Sequence, residues 1–176
     1  RIHDGKVMVM RSNLRWCSDG LEFTCWNGEA IRLAFIIDAF DREIIAWTAV
    51  ANAGISGSDV RDMMLEAVEK PFAATRAPNP IEHLSDNGSA YTARDTRLFA
   101  QALNLTPCFT PVASPQSNGM SEAFVKTLKR DYIRISALPD AETALRLLDG
   151  WIEDYNEIHP HSALKMASPR QFIRAK

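Results

Sequence analysis

The sequence predicts an α/β domain in which a mixed sheet of five strands carries helices on both faces. Three observations predict it. Two isoleucine-rich apolar runs, 31–37 and 44–50, are continuous rather than alternating, as in strands buried on both faces. Beyond them, strand-like segments alternate with helical patterns, the signature of strands joined by crossover helices. The length, 176 residues with 46% hydrophobic and 24% charged content, suits one globular core and is too short for two.

Residues 1–13 have weak periodicity and read as a linker ahead of a core over 14–157, with a basic tail over 158–176. "LRWCSDGLEF", from Leu14, is a short strand broken at Asp19-Gly20. The two isoleucine-rich runs follow, around a turn containing Asp38, Asp41 and Arg42. A helix comes next: Ser58 is its expected N-cap, and Val60, Met63, Met64, Ala67 and Val68 fall on one stripe. Residues 71–80 are a proline- and alanine-rich connector. "IEHLSD" is the fourth strand, closed by Asp86 and a sharp Asn87-Gly88 turn. "TARDTRLFAQAL" reads as helix and "LTPCFTP" as the fifth strand. Small, flexible residues then lead into a helix opened by Glu122, and a last long helix starts at Pro139 and Asp140, with Glu142 in its first turn.

Bulk properties exclude several classes. The longest apolar runs are far short of a membrane span, and no charged-then-apolar leader is present, so the expected location is cytoplasmic. Cys17, Cys25 and Cys108 are odd in number and form no CxxC pair, which favours three thiols over disulfides or structural zinc. The net charge of −2 hides a segregation. Residues 1–15 carry four cations against Asp4, 137–158 carry six acids against Arg146, and 159–176 carry four cations and no acid. A mildly acidic total argues against tight, unaided duplex binding, while the basic segments keep nucleic acid open as a partner.

Three acids stand out, each with an ordinary alternative. Asp86 before Asn87-Gly88 could be a turn former, and so could Asp19 before Gly20. Glu122 could complement a helix dipole or pair with Lys126, a contact contributing about 0.2–0.5 kcal/mol. Yet Asp19 sits among apolar strand residues, where an unpaired carboxylate is costly to bury. If the first and fourth strands are neighbours, Asp19 approaches Asp86, and divalent Mg²⁺ or Mn²⁺ would relieve their repulsion. Two such ions about 3.5–4 Å apart can activate a nucleophile and stabilise a leaving oxygen in phosphodiester displacement. At about 100° per residue, Lys126 lies about 40° to one side of Glu122 and Lys129 about 20° to the other. Phe124, Val125, Leu128 and Tyr132 form a separate apolar stripe.

"WCSDGLEF", "LSDNGSAYTA" and "SPQSNGMSEAFVKTLKRD" together resemble the three acidic motifs of OrfB-type bacterial insertion-sequence transposases, which share the catalytic core of retroviral integrases. The spacing agrees: 35 residues separate Asp86 from Glu122, as in that family. "WIEDYNEIHPHSALKMASPRQF" resembles the family's tail, with His159 where an arginine is usual. The resemblance spans residues 14–172 and implies an RNase H-like fold. It also implies cutting at element ends, followed by attack of a DNA 3′-hydroxyl on target DNA. Asp19, Asp86 and Glu122 would be both the catalytic acids and the ligands of two Mg²⁺ or Mn²⁺ ions. Lys126, Lys129, Asn118 and Gln116 would contact DNA, with 116–119 as a mobile loop. The implied partners are DNA and further copies of the chain, a homodimer or higher oligomer, with no membrane and no small-molecule cofactor; the location is that of a nucleoid-associated cytoplasmic protein.

Other readings are weaker. Asp38 and Asp41 could form a rival metal pair, though their spacing suits a hairpin turn. His159 and His161 could be a metal clip or a proline-stiffened tail segment. Trp16, Trp26, Trp47 and Trp151 read as core. No nucleophile elbow, P-loop or dinucleotide fingerprint appears. A nuclease of the same fold that hydrolyses without joining, and a non-catalytic DNA-binding or assembly domain, remain the alternatives.

Overall fold

The computed structural model describes residues 9–86, 88–109 and 115–176, and no side chain at 109 or 115–118. Strands β1 (Arg15–Thr24), β2 (Ala30–Asp38) and β3 (Ile44–Ala51) pair antiparallel. Helix α1 (Gly57–Phe72) then crosses over to β4 (Ile81–Ser85), which pairs parallel with β1. Two short helices, α2 (Ser89–Thr92) and α3 (Arg94–Ala102), lead to β5 (Leu105–Phe109), parallel to β4. The five strands lie in the order β3-β2-β1-β4-β5, the mixed sheet expected.

Strand alternation divides the core into two layers. On one face Cys17, Leu21, Phe23, Leu33, Phe35 and Leu84 pack under α4 (Pro115–Leu128) and α5 (Ala141–Glu157). On the other, Trp16, Ala34, Ile36, Ile81 and Leu105 pack under α1 and α3. The apolar stripe of α4 is confirmed: Phe124 and Leu128 are fully buried, and Tyr132 follows in a π-helical turn, Lys129–Ile133.

Several local expectations are corrected. Asp19-Gly20 does not break β1, because Gly20 lies against β2, where a Cβ would come within 2.9 Å of the Leu33 carbonyl oxygen. The N-cap of α1 is Ser56 rather than Ser58: its hydroxyl accepts from the Asp59 N–H, and the Asp59 carboxylate accepts from the Ser56 N–H. That helix runs through Pro71 and stops at Ala73, which turns left-handed at φ 51. Residues 116–119, expected as a loop, lie in the first turns of α4, so Glu122 falls in its interior. Trp26 is 73% exposed in the β1–β2 turn, with its backbone N–H donating to the Leu138 carbonyl, whereas Trp16 and Trp151 are core.

Asp38 and Asp41 prove to be turn formers. The Asp38 carboxylate accepts from the backbone N–H groups of Asn13, Phe40 and Asp41, and Asp41 accepts from the Glu43 N–H and the Ser12 hydroxyl. His159 takes up a side-chain role against Asp131, 3.1 Å away, while His161 stands edge-on to Tyr155. The chain does not end with α5. A 3₁₀ turn (Ser162–Leu164) and α6 (Pro169–Arg174) fold back, with Arg170 bonded to Glu153 and Glu157 and Arg174 to Glu157. The basic tail therefore neutralises the acidic face of the preceding helix. Among the described residues, no helix is long and apolar enough to cross a membrane.

Candidate active site

The parallel pairing of β1 with β4 fixes the first two acids. Arg15 pairs with Glu82, Trp16 with His83 and Cys17 with Leu84. Carried two residues further, this register sets Asp19 beside Asp86, at the point where β4 ends. Cys17 and Leu84 both face the α4 side of the sheet, so by strand alternation both carboxylates do too.

The third acid comes from above that face. Phe35 stands opposite Asp19 in the β1–β2 ladder, and Phe124 meets Phe35 edge-to-face at 4.5 Å between ring centroids. The Phe124 anchor, buried further against Tyr155 at 4.8 Å, thus places the turn of α4 carrying Glu122 over the Asp19 region. Glu122 itself is exposed, and it makes no ion pair with Lys126 or Lys129, which are also exposed. The ordinary helix-surface pair is therefore not what holds it.

Electrostatics link the three. Burial pushes the Asp19 carboxyl above the usual carboxylate range, the Gly20 N–H bonded to it at 2.8 Å opposes this, and the charges of Asp86 and Glu122 raise it further. Asp86 accepts from the Gly88 N–H at 2.9 Å, which closes the turn after β4 and fixes the carboxylate's direction. The acids share a face and a field without closing into a cage: among the described residues, no three His, Cys, Asp or Glu side chains are grouped to hold a metal. Their chemistry suits a hard divalent cation, with oxygen donors only and, among the described residues, no neutralising lysine or arginine bonded to any of them. The side chains of Gln116 and Asn118 lie outside the described residues.

One contact went unread in the sequence. The Ser18 hydroxyl, next to Asp19, donates to the Phe35 carbonyl and lies 2.6 Å from the Tyr91 hydroxyl. Tyr91 thereby ties the segment after Asp86 to the strand bearing Asp19. Burial pushes its phenol up to about 12, and the charges of Asp86 and Asp19 contribute. Tyr91 sits inside "LSDNGSAYTA", so its place in the motif was the available signal. The bond to Ser18 depends on β4 lying against β1, which no local pattern shows.

Comparison with known proteins bears on the family and the fold. Two models described as integrase core domain match residues 10–115 and 103–169. An uncharacterized protein of insertion element IS136 from Agrobacterium fabrum is 95% identical over 176 residues, all of this chain and 90% of that protein. A putative transposase, InsD of insertion element IS2E from Escherichia coli, is 51% identical over the whole chain and 80% of its own length. Among solved structures, a simian T-cell lymphotropic virus intasome chain superposes with a TM-score of 0.67 at 19% identity, over 91% of this chain and 54% of that one. The HTLV-2 integrase catalytic core domain, solved with magnesium in a trimeric form, gives 0.63 at 13% identity, over 91% and 95%. These structural likenesses show a shared RNase H-like fold; with the model matches and the InsD identity, they establish that the chain belongs to the integrase core domain family, among the insertion-sequence transposases.

Proposed function

We propose that this chain cuts DNA strands at element ends and joins a DNA 3′-hydroxyl to a target phosphodiester, with divalent metal held by Asp19, Asp86 and Glu122. The observation that carries this reading is the β1–β4 register, which sets Asp19 beside Asp86 under the helix bearing Glu122. The magnesium in the HTLV-2 core supports the choice of metal. A bound pair of ions would supply the positive charge that activates the attacking hydroxyl and steadies the leaving oxygen.

The protein's own residues do the rest. Asp19 from β1, Asp86 from the end of β4 and Glu122 from α4 would be the residues that hold the ions. Lys126 and Lys129, exposed on the Glu122 face and without an ion pair among the described residues, hold DNA phosphates. Gln116 and Asn118, on the same helix, approach the scissile strand. In the joining step one P–O bond forms to the incoming 3′-oxygen as another breaks to the departing 3′-oxygen. The reaction is therefore close to balanced in bond energy and draws on no nucleotide cofactor. Two DNA ends need two catalytic centres, which calls for a dimer or larger assembly.

Glu122→Gln tests the reading. It should lower strand transfer by ~10³-fold, about 4 kcal/mol of barrier, while the circular dichroism spectrum and melting temperature stay those of the parent. Loss of fold would make Glu122 structural. Incubation of the parent with a 3′-hydroxyl end and plasmid separates joining from hydrolysis: nicked plasmid without joined product would make it a nuclease.

A further inference from the structure

We infer that a groove along the outer edge of the sheet, formed by α3 and β5, is a second DNA contact that grips the phosphate backbone leading away from the acids. The inference rests on the proposed DNA reaction for its choice of polyanion. The groove encloses about 440 Å³ and is lined by Arg94, Arg97, Leu98, Gln101 and Pro107.

Helix geometry puts its polar residues in a row. Arg94, Arg97 and Gln101 are spaced three and then four apart, so they fall on one face of α3. From Arg94 to Gln101 the axis rises about 10.5 Å, the span of about three nucleotides of one duplex strand at ~3.4 Å each. At the far end the Arg76 guanidinium donates to the carbonyls of Gln101 and Ala102 and extends the row of positive charge.

The two arginines of α3 are uncommitted. Arg94 and Arg97 are exposed, and among the described residues neither guanidinium makes an ion pair or a hydrogen bond. Asp95, the acid of α3, is turned about 100° from Arg94. Glu82, the acid of the adjoining strand, has Leu84's parity and so lies on the opposite face, paired with Arg15 at 2.6 Å. This contrasts with the tail, whose Arg170 and Arg174 are bound to Glu153 and Glu157.

Topology brings the groove to the acids' end of the sheet, on the opposite face, so a backbone reaching from one to the other crosses the β5 edge. Only Leu103 and Asn104 separate α3 from β5, so the two run antiparallel, and β5 is parallel to β4. The Arg94 end of α3 therefore lies at the end of the sheet where β4 delivers Asp86. Pro107 sits on an edge strand, where it offers no N–H to a further strand, so the edge is closed to sheet extension. Leu98, 51% exposed between the arginines, gives an apolar floor that suits a sugar.

Binding of a labelled 30-base-pair duplex of arbitrary sequence, read by fluorescence anisotropy in EDTA across ~50–200 mM salt, tests this without any phosphodiester chemistry. Arg94→Ala/Arg97→Ala should lower the slope of log affinity against log salt by about two and weaken binding roughly tenfold at the low-salt end. Arg94→Lys/Arg97→Lys should keep the slope, and melting of each variant confirms the fold. An unchanged slope in the alanine variant, no duplex binding by the parent at low salt, or equal competition by polyglutamate and DNA would each overturn the inference. The last would point to an acidic protein segment. Joining assays on the same samples stand apart: a parent that binds through the groove but neither cuts nor joins would refute the catalytic proposal and leave the groove standing.

Discussion

Asp19 is where a single side chain shows the design most clearly. Its carboxyl lies half-buried, raised by desolvation and by two neighbouring acids, so in the metal-free protein it is a source of repulsion rather than stability. Asp19→Asn keeps an oxygen for the Gly20 N–H and removes one negative charge. Without metal, the variant should melt no lower than the parent, and up to about 2–4 °C higher for a gain of about 1 kcal/mol. A clear fall in differential scanning calorimetry would show that the acid belongs to a stabilising buried network. Asp38 offers the comparison: it too is buried, but three backbone N–H groups and a hairpin turn give it a structural task.

At the scale of the element, β4 carries a pH-dependent share of the stability. His83 lies within it on the α1 side, beside Trp16 in register, and its Nε2 is buried without a hydrogen-bond partner. Burial pushes the imidazole down to about 4. The folded form then holds fewer protons than the unfolded chain between about pH 6.5 and 4. Stability from this group is complete above 6.5 and is lost on acidification, by on the order of 3 kcal/mol over that window. Glu43 works the other way: burial pushes its carboxyl up to about 7, so its share of stability falls as pH rises from the ordinary carboxylate range towards 7. Urea unfolding of His83→Leu and the parent at pH 7 and pH 5 isolates the histidine. The variant should gain on the parent by about 1–2 kcal/mol on going to pH 5, and a constant difference would mean His83 finds a partner when charged.

Across the whole molecule, charge is distributed by role. The tail's arginines are tied to α5, and Lys176 lies 3.5 Å above the Phe40 ring. Lys126, Lys129, Arg94 and Arg97 are left unpaired on the described surface. Arg170→Ala should therefore cost stability rather than DNA affinity: about 0.5–1 kcal/mol in urea unfolding, shrinking with added salt, and no change in the salt slope of duplex binding. A drop in that slope by one would place the tail on the DNA.

The sequence by itself determined the strand and helix types and the layered α/β class, and it singled out three acids as candidates. Those features are written in local periodicity, turn chemistry and residue spacing, which need no knowledge of neighbours. It misplaced the cap of α1, the interruption at Asp19-Gly20 and the exposure of Trp26. Each of these depends on what lies across the chain: Gly20 is needed because Leu33 passes close, and no pattern around Ser58 reveals that Ser56 meets Asp59. Only tertiary structure set Asp19 beside Asp86, brought Tyr91 to Ser18 and left the Arg94 and Arg97 guanidinium groups without partners among the described residues. Proximity between distant segments is decided by sheet order, and sheet order is settled by the packing of two whole faces at once.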